Sequence, residues 1–211
     1  LTNTHELAER LATLDTGELP LDSTVIATSD TDLITGLLAA HPGKSIEQAA
    51  MAELPLMRGA FSLVFLDEHT LYAARDPQGI RPLSLGRLAS GWVVASETAA
   101  LDIVSASYVR DIEPGELVAI DDNGVRSTMF ARPAPKGCLF EYVYLARPDS
   151  ILNARSVHGV RAAVGRKLAI EAPADADLVI PVPESGTPAA IGFAQQSGLP
   201  FAQGLVKNAY V

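Results

Sequence analysis

The sequence predicts two successive architectures, an α+β domain built on antiparallel strands and then the start of a parallel α/β domain. Three observations predict them. Helical spacing of apolar residues dominates the first 57 positions. From Gly59 to Phe130 the pattern changes to short β-type runs separated by turn residues. After a proline- and glycine-rich stretch, a continuous apolar run beginning at Asp177 enters a small-residue loop and then another helical pattern.

Each element has a local reason. Leu7, Leu11 and Leu14 share one helical face in residues 4–14, with Thr4 as the candidate N-cap. Residues 24–28 (TVIAT) are a β-branched strand. Ser29 and Asp32 resemble a capping box ahead of a helix over 33–40, closed by His41-Pro42-Gly43. Ser45 caps a helix over 45–57 that Pro55 ends or bends. Residues 59–77 read as two strands joined at Asp67-Glu68-His69, and 82–97 as a second pair. Residues 98–104 look helical. Asp122-Asn123-Gly124 tolerates positive φ and makes 116–130 a hairpin. Residues 131–137 read as a linker, 138–150 as strand-like and 153–170 as a helix carrying Arg155, Arg161, Arg166 and Lys167. The run from Asp177 has the character of a strand buried on both faces. The helix after Pro188 breaks at Gly198, and a further strand begins at Leu199.

Composition narrows the function. Sixteen basic against 25 acidic residues give a net charge of −9, which argues against a nucleic-acid partner. The longest charge-free stretch, Ser185–Val206, is interrupted by two prolines and several glycines and does not read as a membrane span. No secretory signal opens the chain, and a single cysteine, Cys138, fits a reducing, cytoplasmic setting. The start at Leu1 and the stop inside an apolar run suggest a fragment of a longer protein.

Four places could carry chemistry. Glu184-Ser185-Gly186-Thr187-Pro188 follows a strand and opens a helix, so it offers backbone N–H groups to an anion; the plainer reading is a turn with Thr187 as cap and Pro188 at the first helical position. Asp30 could hold an ammonium group, or serve only the helix start. Arg75 and Arg81 flank a tight Asp-Pro turn and could clamp a carboxylate or phosphate, or pair locally with Asp76 or Glu97. Cys138 is the fourth, and a lone cysteine is most often a small packed residue that cannot build a metal site by itself. The four histidines show no metal-ligand spacing.

The runs GAFSLVFLDEHTLYAARDPQGIRPLSLG, GWVVASETAALDI, VRDIEPGELVAI, KGCLFEYVYLARPDS, DLVIPVPESGTPAA and QGLVKNAYV resemble the amidophosphoribosyltransferase family, in the style of its actinobacterial members. The resemblance implies a glutaminase domain of the N-terminal-nucleophile hydrolase type, an αββα sandwich, over residues 1–135. It implies the first part of a type I phosphoribosyltransferase domain over 136–211. The implied reaction hydrolyses glutamine and uses the ammonia to displace pyrophosphate from phosphoribosyl pyrophosphate, giving 5-phosphoribosylamine, the first step of de novo purine biosynthesis.

By the same resemblance Asp30 grips the glutamine ammonium. Glu184, Ser185, Gly186 and Thr187 form the pyrophosphate loop, with Ser185 toward Mg²⁺. Lys207 and Tyr210 begin a closing loop, where Ala209 replaces a basic residue found in many relatives. Cys138 is the first of four ligands of a [4Fe–4S] cluster. The family's catalytic N-terminal cysteine would precede Leu1, so no catalytic residue is expected in the chain, and the chain alone is expected to be inactive. Feedback purine nucleotides and a homo-oligomer are implied for the full-length protein. Two other readings stand beside this one. One is a hexosamine- or asparagine-forming amidotransferase, which the run Leu178–Thr187 disfavours. The other is a non-catalytic nucleotide sensor, which the glutaminase-like first part disfavours.

Overall fold

The computed structural model describes residues 1–14 and 29–208; the strand expected at 24–28 lies outside them. In chain order the elements are α1 (Thr4–Thr13), α2 (Asp30–Ala39), α3 (Ile46–Glu53), β1 (Ser62–Leu66) and β2 (Leu71–Arg75). Next come β3 (Ser84–Leu88), β4 (Gly91–Ala95), α4 (Thr98–Ile103), β5 (Ser107–Asp111), β6 (Glu116–Asp121) and β7 (Gly124–Met129). The last are β8 (Ile151–Leu152), β9 (Arg155–Ser156), α5 (Val157–Glu171) and α6 (Thr187–Ser197). They group into two compact units: Leu1–Leu83 with Ile112–Gly137, and Ser84–Asp111 with the chain from Cys138 on.

The first unit holds a four-stranded antiparallel sheet in the order β1-β2-β6-β7. The alternation read from 59–77 and 116–130 sets its registers, with Val64 opposite Ala73 and Ala73 opposite Val118. Helices α1 and α2 bury Leu7, Leu33 and Leu37, and the turn after α3 buries Leu54, in one core with Tyr72, Leu117 and Ala119 of this sheet. Each such leucine contributes about 1.5–3 kcal/mol on burial. Phe61 and Phe130 stack at 6.3 Å in the same core.

Caps follow the sequence. Ser29 Oγ accepts from Asp32 N–H at 3.2 Å. Ser45 and Gln48 form a complete capping box, and a short 3₁₀ turn at Leu54–Leu56 contains Pro55. Thr4 is not a cap: Asn3 occupies that position, and its amide is engaged by residues 56–58 instead. A buried ion cluster ties the helices together. Arg10 Nε and Nη2 donate to Glu53 at 2.6 and 2.8 Å, and His41 Nε2 donates to it at 2.7 Å.

The second unit holds the antiparallel sheet β4-β3-β5, of which β5 had no clear sequence signal. Its register shifts between Leu85 and Gly86, where Leu101 of α4 packs close. Residues 138–150 are not a strand. Glu141–Leu145 form a single wide helical turn closed by Ala146 N–H on Glu141 C=O at 3.0 Å. The cause is Arg161, whose guanidinium takes the Tyr142 and Ala146 carbonyls at 2.6 and 2.8 Å. The helix expected from 153 begins at 157, capped by Ser156, because β8 and β9 first turn back through Asn153 and Ala154 at φ 48° and 59°. Arg161 is buried, so α5 presents no continuous basic face.

The run at 178–182 is not buried on both faces. Leu178, Ile180 and Val182 are exposed, and only Val179 forms a parallel bridge, to Phe201. A parallel strand is covered only when flanking strands and helices surround it, and among the described residues one neighbour does so. Helix α6 ends at Gly198, whose φ of 75° is the left-handed cap its sequence predicts. No helix among the described residues is long and apolar enough to cross a membrane.

Candidate functional site

Asp30 is the first residue of α2, and Ser29 and Asp32 make the cap beside it. The Asp30 carboxylate is therefore free of capping duty and stands at the positive end of the helix, half exposed. Thr2 N–H donates to Arg58 C=O at 2.9 Å, and Asn3 exchanges bonds with Leu56 and Arg58 at 3.0 Å each. This register brings the Leu1 backbone nitrogen beside Asp30 Oδ2. A half-exposed carboxylate at a helix start has free lone pairs to offer a cationic group. The two readings of this segment are compatible, because capping and ammonium contact use different aspartates.

The arginine turn is structural. Arg75 is buried and spends its guanidinium on the carbonyls of Arg81, Ile112 and Gly79, at 2.8, 2.8 and 3.0 Å. Asp76 is buried and accepts from the N–H groups of Phe61, Gln78 and Ile80. Arg75 is thus no anion clamp, and its bonds run to carbonyls rather than to Asp76 or Glu97.

In the second unit Glu184 and Ser185 lie in the turn before α6. The helix starts at Thr187 with Gly186 as its N-cap and no side-chain cap, and Pro188 is its second residue. Thr187 is therefore helical, not the cap. Gly186 has a steric reason: a Cβ there would fall 2.7 Å from the Val182 carbonyl oxygen. Gly186 N–H donates to Val182 C=O at 3.3 Å and Thr187 N–H to Glu184 C=O at 3.2 Å, and Pro188 has none to give, so what the turn offers an anion is chiefly the positive end of α6. Glu184 and Ser185 offer oxygen donors, the type Mg²⁺ takes alongside waters and substrate phosphates. Lys207 is exposed in a segment without regular structure, and Tyr210 lies outside the described residues.

Cys138 is a free, half-buried thiol. Among the described residues no three of His, Cys, Asp and Glu gather at one place. A [4Fe–4S] cluster takes four thiolates, of which Cys138 would be one and the other three would come from outside this chain.

Sequence reasoning missed a polar knot in the second unit. Glu97 Oε2 accepts from Arg147 N–H at 2.8 Å and from Ser150 Oγ at 2.6 Å. Thr98 Oγ1 accepts from Ile151 N–H at 2.9 Å. Burial pulls the Arg161 guanidinium below its usual value, and the Glu97 carboxylate opposes that pull. The partners lie some fifty positions apart, and no local pattern signals them.

Residues 1–103, with their helix-backed antiparallel strands, match the family "Glutamine amidotransferase domain", which gives the class. Over its entire length the chain is 65% identical to an amidophosphoribosyltransferase of Mycobacterium leprae, of which it covers 38%. It is 45% identical to that of Synechococcus elongatus, covering 43%. The solved glutamine phosphoribosylpyrophosphate amidotransferase from B. subtilis, complexed with ADP and GMP, superposes with a TM-score of 0.90 at 36% identity, over 100% of this chain and 45% of that one. The chain belongs to the amidophosphoribosyltransferase family and has the N-terminal-nucleophile hydrolase-type fold of its glutamine domain. It spans about two fifths of the length of these curated relatives.

Proposed function

We propose that the chain is the central part of an enzyme that moves the amide nitrogen of glutamine onto phosphoribosyl pyrophosphate, releasing pyrophosphate and forming 5-phosphoribosylamine. One observation carries this reading. The similarity to amidophosphoribosyltransferases continues past residue 103, where the amidotransferase match ends, through the loop at 184–187. The reading divides the chain into a glutaminase part, 1–135, and the start of a phosphoribosyltransferase part, 136–211.

Asp30 holds the glutamine ammonium in this scheme, from its half-exposed place at the start of α2. The turn Glu184–Thr187 receives the pyrophosphate, whose departing charge meets the positive end of α6. Mg²⁺, met by Ser185, would supply further neutralisation of that charge. Lys207 and Tyr210 would close over the substrate. No hydrolytic nucleophile is assigned among the described residues, and no step is assigned to an iron–sulfur cluster. Purine nucleotides are the proposed feedback ligands, in keeping with the ADP and GMP of the B. subtilis complex, and the cytoplasm the proposed location. A homo-oligomer is the proposed assembly.

The test uses the chain within a protein of its relatives' full length. Asp30→Asn should raise the glutamine KM by about 10–100-fold, the loss of one charge-assisted contact. The ammonia-dependent reaction should be unchanged. Normal glutamine kinetics with a lowered Tm would reduce Asp30 to a part of the helix start.

A further inference from the structure

We propose that Asn3 is a positioning residue for the Asp30 site. By splicing residues 1–3 onto residues 56–58 it sets the backbone that borders the Asp30 carboxylate and the helix against which α2 packs. The inference rests on the reading of Asp30 as the holder of the glutamine ammonium, and adds a residue to which that reading gives no role.

The geometry carries it. Asn3 stands at the N-cap position of α1, where asparagine is among the best side-chain caps, yet its side chain makes no cap bond. The amide is spent elsewhere: Nδ2 donates to Leu56 C=O and Oδ1 accepts from Arg58 N–H, both at 3.0 Å. The residue is buried, so water does not replace these bonds when they are removed. Its own carbonyl accepts from Leu7 N–H at 3.1 Å, the first bond of α1. One residue thus ties both the start of α1 and the backbone before it to residues 56–58.

Two paths lead from there to Asp30. The first is the backbone: Thr2 N–H is held by Arg58 C=O, and the Leu1 nitrogen lies beside Asp30 Oδ2. The fit leaves little slack, because a Cβ on Gly59, at φ 117°, would fall 3.3 Å from both Leu1 Cα and Thr2 N. The second path runs through the helices. Helix α1 lies so close to α2 that a Cβ on Gly36 would fall 2.9 Å from Leu11 Cδ2. A slip of α1 is passed through such packing to α2, whose first residue is Asp30. All these residues belong to the first compact unit. A carboxylate displaced by about 1 Å meets a small ammonium ligand poorly, whereas a reaction fed with ammonia makes no use of that contact.

The experiment uses the full-length protein with Asn3→Ala and the milder Asn3→Ser, each alone and together with Asp30→Asn. Product formation is measured with glutamine and then with ammonia as nitrogen source. Each Asn3 variant should raise the glutamine KM about threefold or more, within what one or two hydrogen bonds allow. Its ammonia-dependent rate should stay within about twofold of the unsubstituted protein. Beside Asp30→Asn the same substitutions should raise KM further by less than about twofold, because the group they position is already disabled. A normal glutamine KM in both Asn3 variants, whatever their Tm, overturns the role of Asn3. So do effects that multiply in full with that of Asp30→Asn, since Asn3 then acts by another route. A parallel fall with both nitrogen sources overturns it as well, being the signature of a merely structural contact. A normal glutamine KM in Asp30→Asn alone sinks the reading of Asp30 itself, and the role of Asn3 with it.

Discussion

Glu53 has no exposed side-chain surface, yet it carries charge. Burial pushes its carboxyl up, but the hydrogen bonds from Arg10 and His41 outweigh that and hold it below the usual carboxylate range. A lowered folded-state value means the cluster stabilises the fold above the unfolded carboxyl value, about 4.3, and that this contribution is lost as pH falls through the folded one. Glu53→Gln should cost about 2–3 kcal/mol at neutral pH, somewhat under the cost of breaking a fully buried pair, because Arg10 reaches solvent. Urea denaturation should also show a shallower loss of stability on acidification in this variant; equal slopes would remove Glu53 as its source. At this scale the sequence was legible where the chemistry is local. Ser45 with Gln48, and Ser29 with Asp32, cap helices that begin beside them. Arg75 was not legible, because its three carbonyl partners include one 37 positions away.

Helices α5 and α6 meet backbone to backbone. A Cβ on Gly165 would fall 1.8 Å from the Ala189 carbonyl oxygen, and one on Gly192 would fall 2.0 Å from that of Ala162. Alanine is the better helix former by up to about 1 kcal/mol, but here it must prise the helices apart. Gly165→Ala and Gly192→Ala should each destabilise by about 1–3 kcal/mol. Gly159→Ala, in the same helix as Gly165, meets only ordinary contacts at 3.5 Å and should be neutral or mildly stabilising. Thermal melts of the three variants check this, and a stabilised Gly165→Ala would refute the close crossing. Hairpins β1–β2 and β6–β7 were legible because period and turn residues agree. The stretch 138–150 was not: its aromatic and β-branched residues favour a strand, and Arg161 makes it a helical turn by satisfying carbonyls from outside.

The chain leaves its first compact unit after Leu83, returns at Ile112 and leaves again after Gly137. A sequence read in order places one boundary near residue 135 and cannot show such a return, because bonds like Thr98–Ile151 join distant positions. The proline-rich stretch 131–137 lies beside that boundary, and its composition suggests a loose connector. Its backbone tells another story: Ala134 N–H donates to Pro77 C=O at 2.8 Å, and Lys136 N–H to Gln78 C=O at 2.9 Å. The stretch is sewn to the turn that Arg75 and Asp76 hold rigid. Lys136 is exposed, so trypsin can find it, yet cleavage needs the peptide lifted from that seam into an extended strand. Nicking at Lys136 should therefore track opening of the 76–82 turn, and Asp76→Ala should hasten it before far-ultraviolet dichroism changes. A connector rich in proline can in this way be a lock whose key lies sixty residues upstream.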